Sequence, residues 1–203
     1  MTVLTMRLMA ETIHFDDARP GSVPRGWLAG KTGRGEPHWA VAVDASAPSQ
    51  PQVLKQSGQA TFAVCLYTNA ALSNGYVAVK FKPVSGKEDQ AGGVIWRAQD
   101  TDNYYVCRAN AMEDNVTLYK TVNGKRTSLD IVGRVGGYGV KAKVASGEWH
   151  TLRVEFAGRR CKVLFDGRHM FDVEDSTFSA AGMIGVWTKA DSVTLFDDFT
   201  FGQ

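Results

Sequence analysis

The chain has 203 residues, 44% of them hydrophobic and 22% charged, the balance of a folded globular domain rather than a disordered chain. A formal net charge of +2 supplies no concentrated basic field, which argues against a nucleic-acid partner. No stretch approaches the roughly 20 consecutive apolar residues of a membrane-spanning helix.

Residues 1–10, MTVLTMRLMA, are mildly apolar with one arginine. They are too short for a complete signal peptide and read as an N-terminal extension or the remnant of one. An exported protein, periplasmic or secreted, is the expectation, with one domain over residues 11–203. Thr12-Ile13-His14-Phe15 opens that domain as a strand. Gly26-Trp27-Leu28-Ala29-Gly30-Lys31-Thr32 imitates a phosphate-binding loop but has three residues between its glycines. Four are needed, and no helical pattern follows. Ala45 to Pro51 is a Pro-rich loop.

From residue 62 onward, strand signals dominate. Phe62-Ala63-Val64-Cys65-Leu66 is an apolar run. In Tyr76–Lys82, Val77, Val79 and Phe81 alternate with Lys80 and Lys82, the mark of a strand with one wet face. Leu118–Val122, Asn123-Gly124 and Lys125–Leu129 form a hairpin with an Asn-Gly turn. Leu152–Phe156 and Cys161–Phe165 make a second hairpin, and Asp166-Gly167 turns the chain into His169–Val173. Met183–Val186 is a further strand. Leu195 to Phe201 closes the chain, with Phe199 and Phe201 on one face. No window carries helical periodicity with caps. Many short strands separated by turns predict an all-β sandwich or barrel. Cys65, Cys107 and Cys161 are odd in number and far apart. They predict buried thiols rather than a disulfide framework or a zinc site. The four histidines have no metal-protease spacing.

Several runs occur in a telling order: Ala91–Arg97, Asp102–Asn110, Val116–Lys120 with its Asn-Gly turn, Gly147–Val154, Gly185–Asp191 and Phe196-Asp197-Asp198-Phe199. Together they resemble the concanavalin A-like lectin/glucanase superfamily. Within it they are most similar to laminin-G-like and 3-keto-disaccharide-hydrolase-like bacterial domains. The resemblance implies a two-sheet antiparallel jelly-roll β-sandwich with its first and last strands side by side. It leaves three functions open, because the fold hosts lectins, hydrolases and adhesion modules alike. These are carbohydrate binding, glycoside hydrolysis of the 3-keto-disaccharide type, and a structural or adhesive role.

Retaining glucanases of the superfamily carry carboxylates at i, i+2 and i+4 on one strand, so that all point to one face. This chain lacks that pattern. Its acidic pairs are mostly adjacent, as in Glu113-Asp114 and Asp197-Asp198, and are expected in loops. Strand alternation predicts a polar patch instead. Tyr104, Arg108 and Asn110 share one face, Arg97 joins them if the neighbouring strand's face coincides, and Glu113 and Asn115 follow at the rim. Planar donors beside aromatic rings suit an oligo- or polysaccharide. Trp187 and Lys189 are expected in a second cluster beside the patch, although Trp187 and Trp149 also fit a core. Glu113 is the candidate acid should the protein be an enzyme. No cofactor is required. The resemblance implies one candidate ion, a structural calcium near the paired termini, for which Asp16, Asp17, Asp197 and Asp198 supply oxygen ligands.

Overall fold

The computed structural model describes residues 10–203. The extension expected at residues 1–10 therefore lies, apart from Ala10, outside the described residues. The alternating segments form sixteen strands and, among the described residues, no helix. The first eight are β1 (Glu11–Ile13), β2 (Trp27–Glu36), β3 (Trp39–Val43), β4 (Gln52–Gln56), β5 (Gln59–Leu72), β6 (Gly75–Ser85), β7 (Ala91–Ala98) and β8 (Tyr104–Asn110). The rest are β9 (Asn115–Val122), β10 (Lys125–Ser128), β11 (Val140–Lys141), β12 (His150–Ala157), β13 (Arg160–Phe165), β14 (Arg168–Glu174), β15 (Gly182–Ala190) and β16 (Val193–Gly202).

They assemble into two eight-stranded antiparallel sheets. Sheet A runs β14-β13-β12-β6-β16-β4-β3, with β1 beside β16. Sheet B runs β10-β9-β8-β7-β15-β5-β2, with β11 on β9. This is the predicted jelly-roll sandwich. The predicted turns occur where left-handed backbone permits them: Asn123 and Gly124 have φ of 49° and 77°, and Asp166 and Gly167 have 48° and 75°. The termini also pair, with Ile13 opposite Phe199 and Glu11 opposite Phe201.

Alternation explains the core between the sheets. Sheet A contributes Val77, Val79 and Phe81 of β6, Leu152, Val154 and Phe156 of β12, and Phe196, Phe199 and Phe201 of β16. Sheet B answers with Val94 and Trp96 of β7, Tyr105 and Cys107 of β8, and Ile184 and Val186 of β15. Trp96 stacks between Tyr105 and Phe156, with centroids 5.4 and 5.9 Å away. Cys65, Cys107 and Cys161 are free and buried. Burial raises all three thiols, Cys161 to about 12. Trp149 is only partly buried and packs on a small satellite cluster around Val53 and Leu195.

Two sequence expectations are corrected here. Asp197 and Asp198 lie within β16 and not in a loop. Asp198 has φ 46°, and the β16–β6 register shifts between Asp197 and Thr200. That bulge accounts for the three-residue step from Phe196 to Phe199 on the core side. Asn115 does not sit at a rim: it is buried at the start of β9.

Polar ties join the sheets at the edges. Asp175, just after β14 of sheet A, accepts hydrogen bonds from Tyr105 Oη of β8 at 2.5 Å and from Lys120 Nζ of β9 at 2.8 Å. Burial alone would raise its carboxyl. Hydrogen bonds from Lys120, Thr177 and Tyr105 outweigh that and hold it at about 2.

Two outcomes follow from this packing. A Cβ at Gly185 would collide with the backbone carbonyl of Cys65 on the adjacent strand. Gly185→Ala is expected to destabilise the domain by about 1–3 kcal/mol, measured by urea unfolding. Asp175 has its pKa depressed on folding, so its stabilisation is complete above about pH 4 and fades as pH falls toward 2. On the order of 2 kcal/mol is at stake. Asp175→Asn should flatten that acid limb of stability against pH; an unchanged limb would assign it to other groups.

Candidate functional site

The face of sheet B turned away from the core is concave. Its opposite edges approach each other across it. Thr32 Oγ1 of β2 lies 2.8 Å from Tyr104 Oη of β8. A Cβ on Gly124, in the β9–β10 turn, would be 3.8 Å from Thr32 Cγ2. This side of the sheet carries a second buried apolar cluster that includes Val64, Leu66, Ile95, Tyr104, Val106, Tyr119 and Trp187. Strand register explains the grouping: Val64 lies beside Trp187, Trp187 beside Gly93, Gly93 beside Arg108, and Arg108 beside Thr117.

Arg126 lies over three aromatic rings on this face. Its guanidinium carbon is 4.2 Å from the Tyr119 centroid, 4.4 Å from Phe62 and 5.4 Å from Trp187. Phe62 and Trp187 stack with centroids 5.4 Å apart. Arg126 and Phe62 also form the floor of an open cleft of about 710 Å³, with Arg34, Thr61, Glu88 and Lys189 around it. Two buried polar atoms here, Thr117 Oγ1 and Arg126 Nη1, have no hydrogen-bond partner among the described residues.

A network of ionised groups continues along the same face. Arg108 is 2% exposed, so its charge needs compensation on the spot. It donates to Asn115 Oδ1, to Glu113 Oε2 at 2.8 Å, to Tyr119 Oη at 3.1 Å and to Tyr138 Oη at 2.9 Å. The two tyrosine hydroxyls are hydrogen-bonded to each other. Burial raises the Tyr119 phenol despite the neighbouring Arg108 and Arg126 charges. Burial would also raise Glu113. The Arg108 charge and hydrogen bonds from Asn115 and Arg108, with Lys189 nearby, instead bring it below its ordinary range. Asn110 donates to Asp89 Oδ1 at 2.7 Å, and Lys189 holds Asp89 Oδ2 at 2.7 Å. Asp191 fixes the loop carrying Asp89 by accepting the backbone N–H groups of Lys87, Glu88 and Asp89.

The fold thus brings Tyr104, Arg108, Asn110, Glu113, Trp187 and Lys189 to one face. Arg97 does not join them. It is in the left-handed region at φ 50°, and this turns its side chain over Phe156, 5.5 Å from the ring centroid. There it donates to the carbonyls of Ser73, Phe178 and Gly158, tying three loops together at the end of the sandwich. Phe62, Asp89, Arg126 and Tyr138 are site residues that the sequence reading missed. A signal existed for two of them. The Asn-Gly turn sets Arg126 opposite Thr121, and alternation puts Phe62 on the face of Val64 and Leu66.

The aspartates considered for calcium separate. Asp197 and Asp198 cluster with His14, while Asp16 accepts the Gln52 N–H at 3.0 Å and Asp17 is exposed. Both Asp197 oxygens accept from Ser49, and burial raises its carboxyl. Asp198 is shared between His14 Nδ1 and Lys80 Nζ, each at 2.6 Å. An ammonium inside the cluster fits a calcium ion poorly, since it already supplies the positive charge.

Comparison with known proteins agrees with this architecture. A family model described as a 3-keto-alpha-glucoside-1,2-lyase-like domain matches residues 15–201. The carbohydrate-binding module CBM66 from Bacillus subtilis superposes with a TM-score of 0.69 at 22% identity, covering 88% of this chain and 96% of that one. A GH43 protein from Bacillus licheniformis gives 0.61 at 14% identity over 95% of this chain and 39% of its own. The Bacillus licheniformis β-glucanase gives 0.55 at 10% identity over 95% and 97%. These three likenesses concern the fold. No curated protein matches the chain in sequence.

Arg108→Met would leave Glu113 without its cation and remove the donor shared by the Tyr119 and Tyr138 hydroxyls. A loss of about 3–5 kcal/mol in unfolding free energy is expected. A loss below about 1 kcal/mol would mean that the network is solvated and structurally idle.

Proposed function

We propose that this chain, which belongs to the 3-keto-alpha-glucoside-1,2-lyase-like domain family, binds a saccharide in the concave cleft of sheet B. The observation that carries the reading is the pairing of Phe62 with Arg126 on the cleft floor. The part of the Phe62 ring left open to the cleft suits the apolar side of a pyranose or furanose, and a planar guanidinium donates to its oxygens. Thr61, Gln59 and Glu88 at the cleft wall add donors and acceptors. CBM66, a carbohydrate-binding module of the same fold, supports the reading by analogy.

Two-carboxylate hydrolysis has less support on this face. A general acid needs a raised carboxyl, whereas Glu113 is lowered and Asp89 is held by Lys189 and Asn110. One observation favours a second reading, elimination. A 1,2-lyase acting on a 3-keto-glucoside removes the C2 proton next to the ketone and forms a C1–C2 double bond. The C1–O bond breaks, and the leaving oxygen takes up a proton. Such a reaction calls for a base and for a cation near the developing enolate. Tyr138, exposed and hydrogen-bonded to Arg108 and Tyr119, is the candidate base, and Arg108 supplies the cation.

A glycan array tests the binding reading. Wild type should retain at least one glycan class, and Phe62→Ala should weaken it about tenfold or more, the loss expected for a stacking anchor. Silence across the array would count against binding and leave a structural role. The elimination reading predicts a conjugated enone, visible by ultraviolet absorption, from 3-keto-glucosides. It should disappear in Tyr138→Phe.

A further inference from the structure

We propose that the saccharide taken by this cleft carries a carboxylate, as a uronic acid residue does, and that Arg126 reads it. The inference rests on the binding reading above and names the ligand's chemistry. Its basis is the charge left over once every ion pair of the face is counted.

Three other cations near the hollow have carboxylate partners. Lys31 pairs with Glu36 at 3.0 Å, Lys189 with Asp89 at 2.7 Å and Arg108 with Glu113 at 2.8 Å. Arg126 has none within ion-pair distance among the described residues, and neither does Arg34 across the cleft. Of the lining carboxylates only Glu88 is uncommitted to a cation. It is exposed and accepts a single hydrogen bond, from Gln59 at 3.5 Å. Two unpaired cations thus face one unpaired anion.

Arg126 is the cation least served by its surroundings. Aromatic faces attract its charge through the flat sides of the guanidinium. They offer nothing to the N–H groups in the guanidinium plane, which need acceptors. Arg126 Nη1 is buried and has no acceptor. A donor of this kind, charged and withdrawn from water, is costly to leave unmatched. A carboxylate supplies both the opposite charge and two parallel acceptor oxygens. A neutral hydroxyl supplies an acceptor without the charge.

The test uses the full chain and a panel of uronate-containing polysaccharides, each beside its carboxyl-reduced counterpart. Binding is followed by affinity electrophoresis and titration calorimetry. At least one acidic glycan should bind about tenfold more tightly than its reduced form, the usual worth of a charge-assisted hydrogen bond. That preference should weaken with added salt and vanish in Arg126→Gln. Arg126→Lys should keep part of it. Thermal unfolding establishes that the variants fold. Should Arg126→Gln not fold, Arg34→Ala and the wild-type comparison of acidic and reduced glycans decide the matter. Equal binding of acidic and reduced forms, lost in Phe62→Ala, overturns the acid preference and leaves saccharide binding standing. No binding of either form overturns both.

Discussion

The tight roll of sheet B is the constraint on which the rest depends. Neighbouring strands can close up only where side chains are missing. At Gly93 a Cβ would sit 2.6 Å from the Cys107 carbonyl oxygen and 3.1 Å from Arg108 Cβ, and Gly185 is equally confined against β5. With those positions bare, the sheet curls until β2 and the β9–β10 hairpin come together, and residues from opposite edges share one hollow. Arg126 reaches Phe62 across that hollow because of the curl, although the two belong to strands far apart in the sheet order. The same curl takes Tyr104, Arg108 and Thr121 out of water, and this makes hydrogen-bond matching decisive there.

Charge on this face divides into scaffolding and surplus. Arg108 spends its donors on Glu113, Asn115, Tyr119 and Tyr138 and so braces β8 against β9 and the loop bearing Tyr138. Lys189, Asp89 and Asn110 lock β15, the β6–β7 loop and β8 in the same manner. These groups hold the shape of the hollow, and their ion pairs hold Glu113 in its ionised form. Arg126 stands outside this mutual compensation. The family places the chain among carbohydrate-associated domains, and a pre-paired frame around an uncommitted guanidinium keeps the ordering cost of recognition low.

Most of the fold was legible because most strands obey strict alternation. Val77, Val79 and Phe81 face the core as their spacing requires, and the Asn-Gly and Asp-Gly turns fall where they were expected. Alternation also grouped Tyr104, Arg108 and Asn110. It failed at single residues of left-handed backbone. Arg97 and Asp198 are not glycines, and nothing in their identity announces a positive φ; each reverses the facing of what surrounds it. It also could not show Asp89 or Tyr138, which arrive on loops whose course is set by Asp191 and by contact with Arg108. The partnership of Arg126 with Phe62 is a product of curvature, and pairwise spacing along one strand carries no information about curvature.

The three buried thiols give the molecule an internal clock. Cys65 and Cys107 are on sheet B and Cys161 is on sheet A, all facing the common core. Burial keeps them in the unreactive thiol form. A thiol reagent can therefore reach each one only in the moments when its own strand opens. The order in which the three become labelled would record which sheet yields first, with the native sequence acting as its own set of timekeepers.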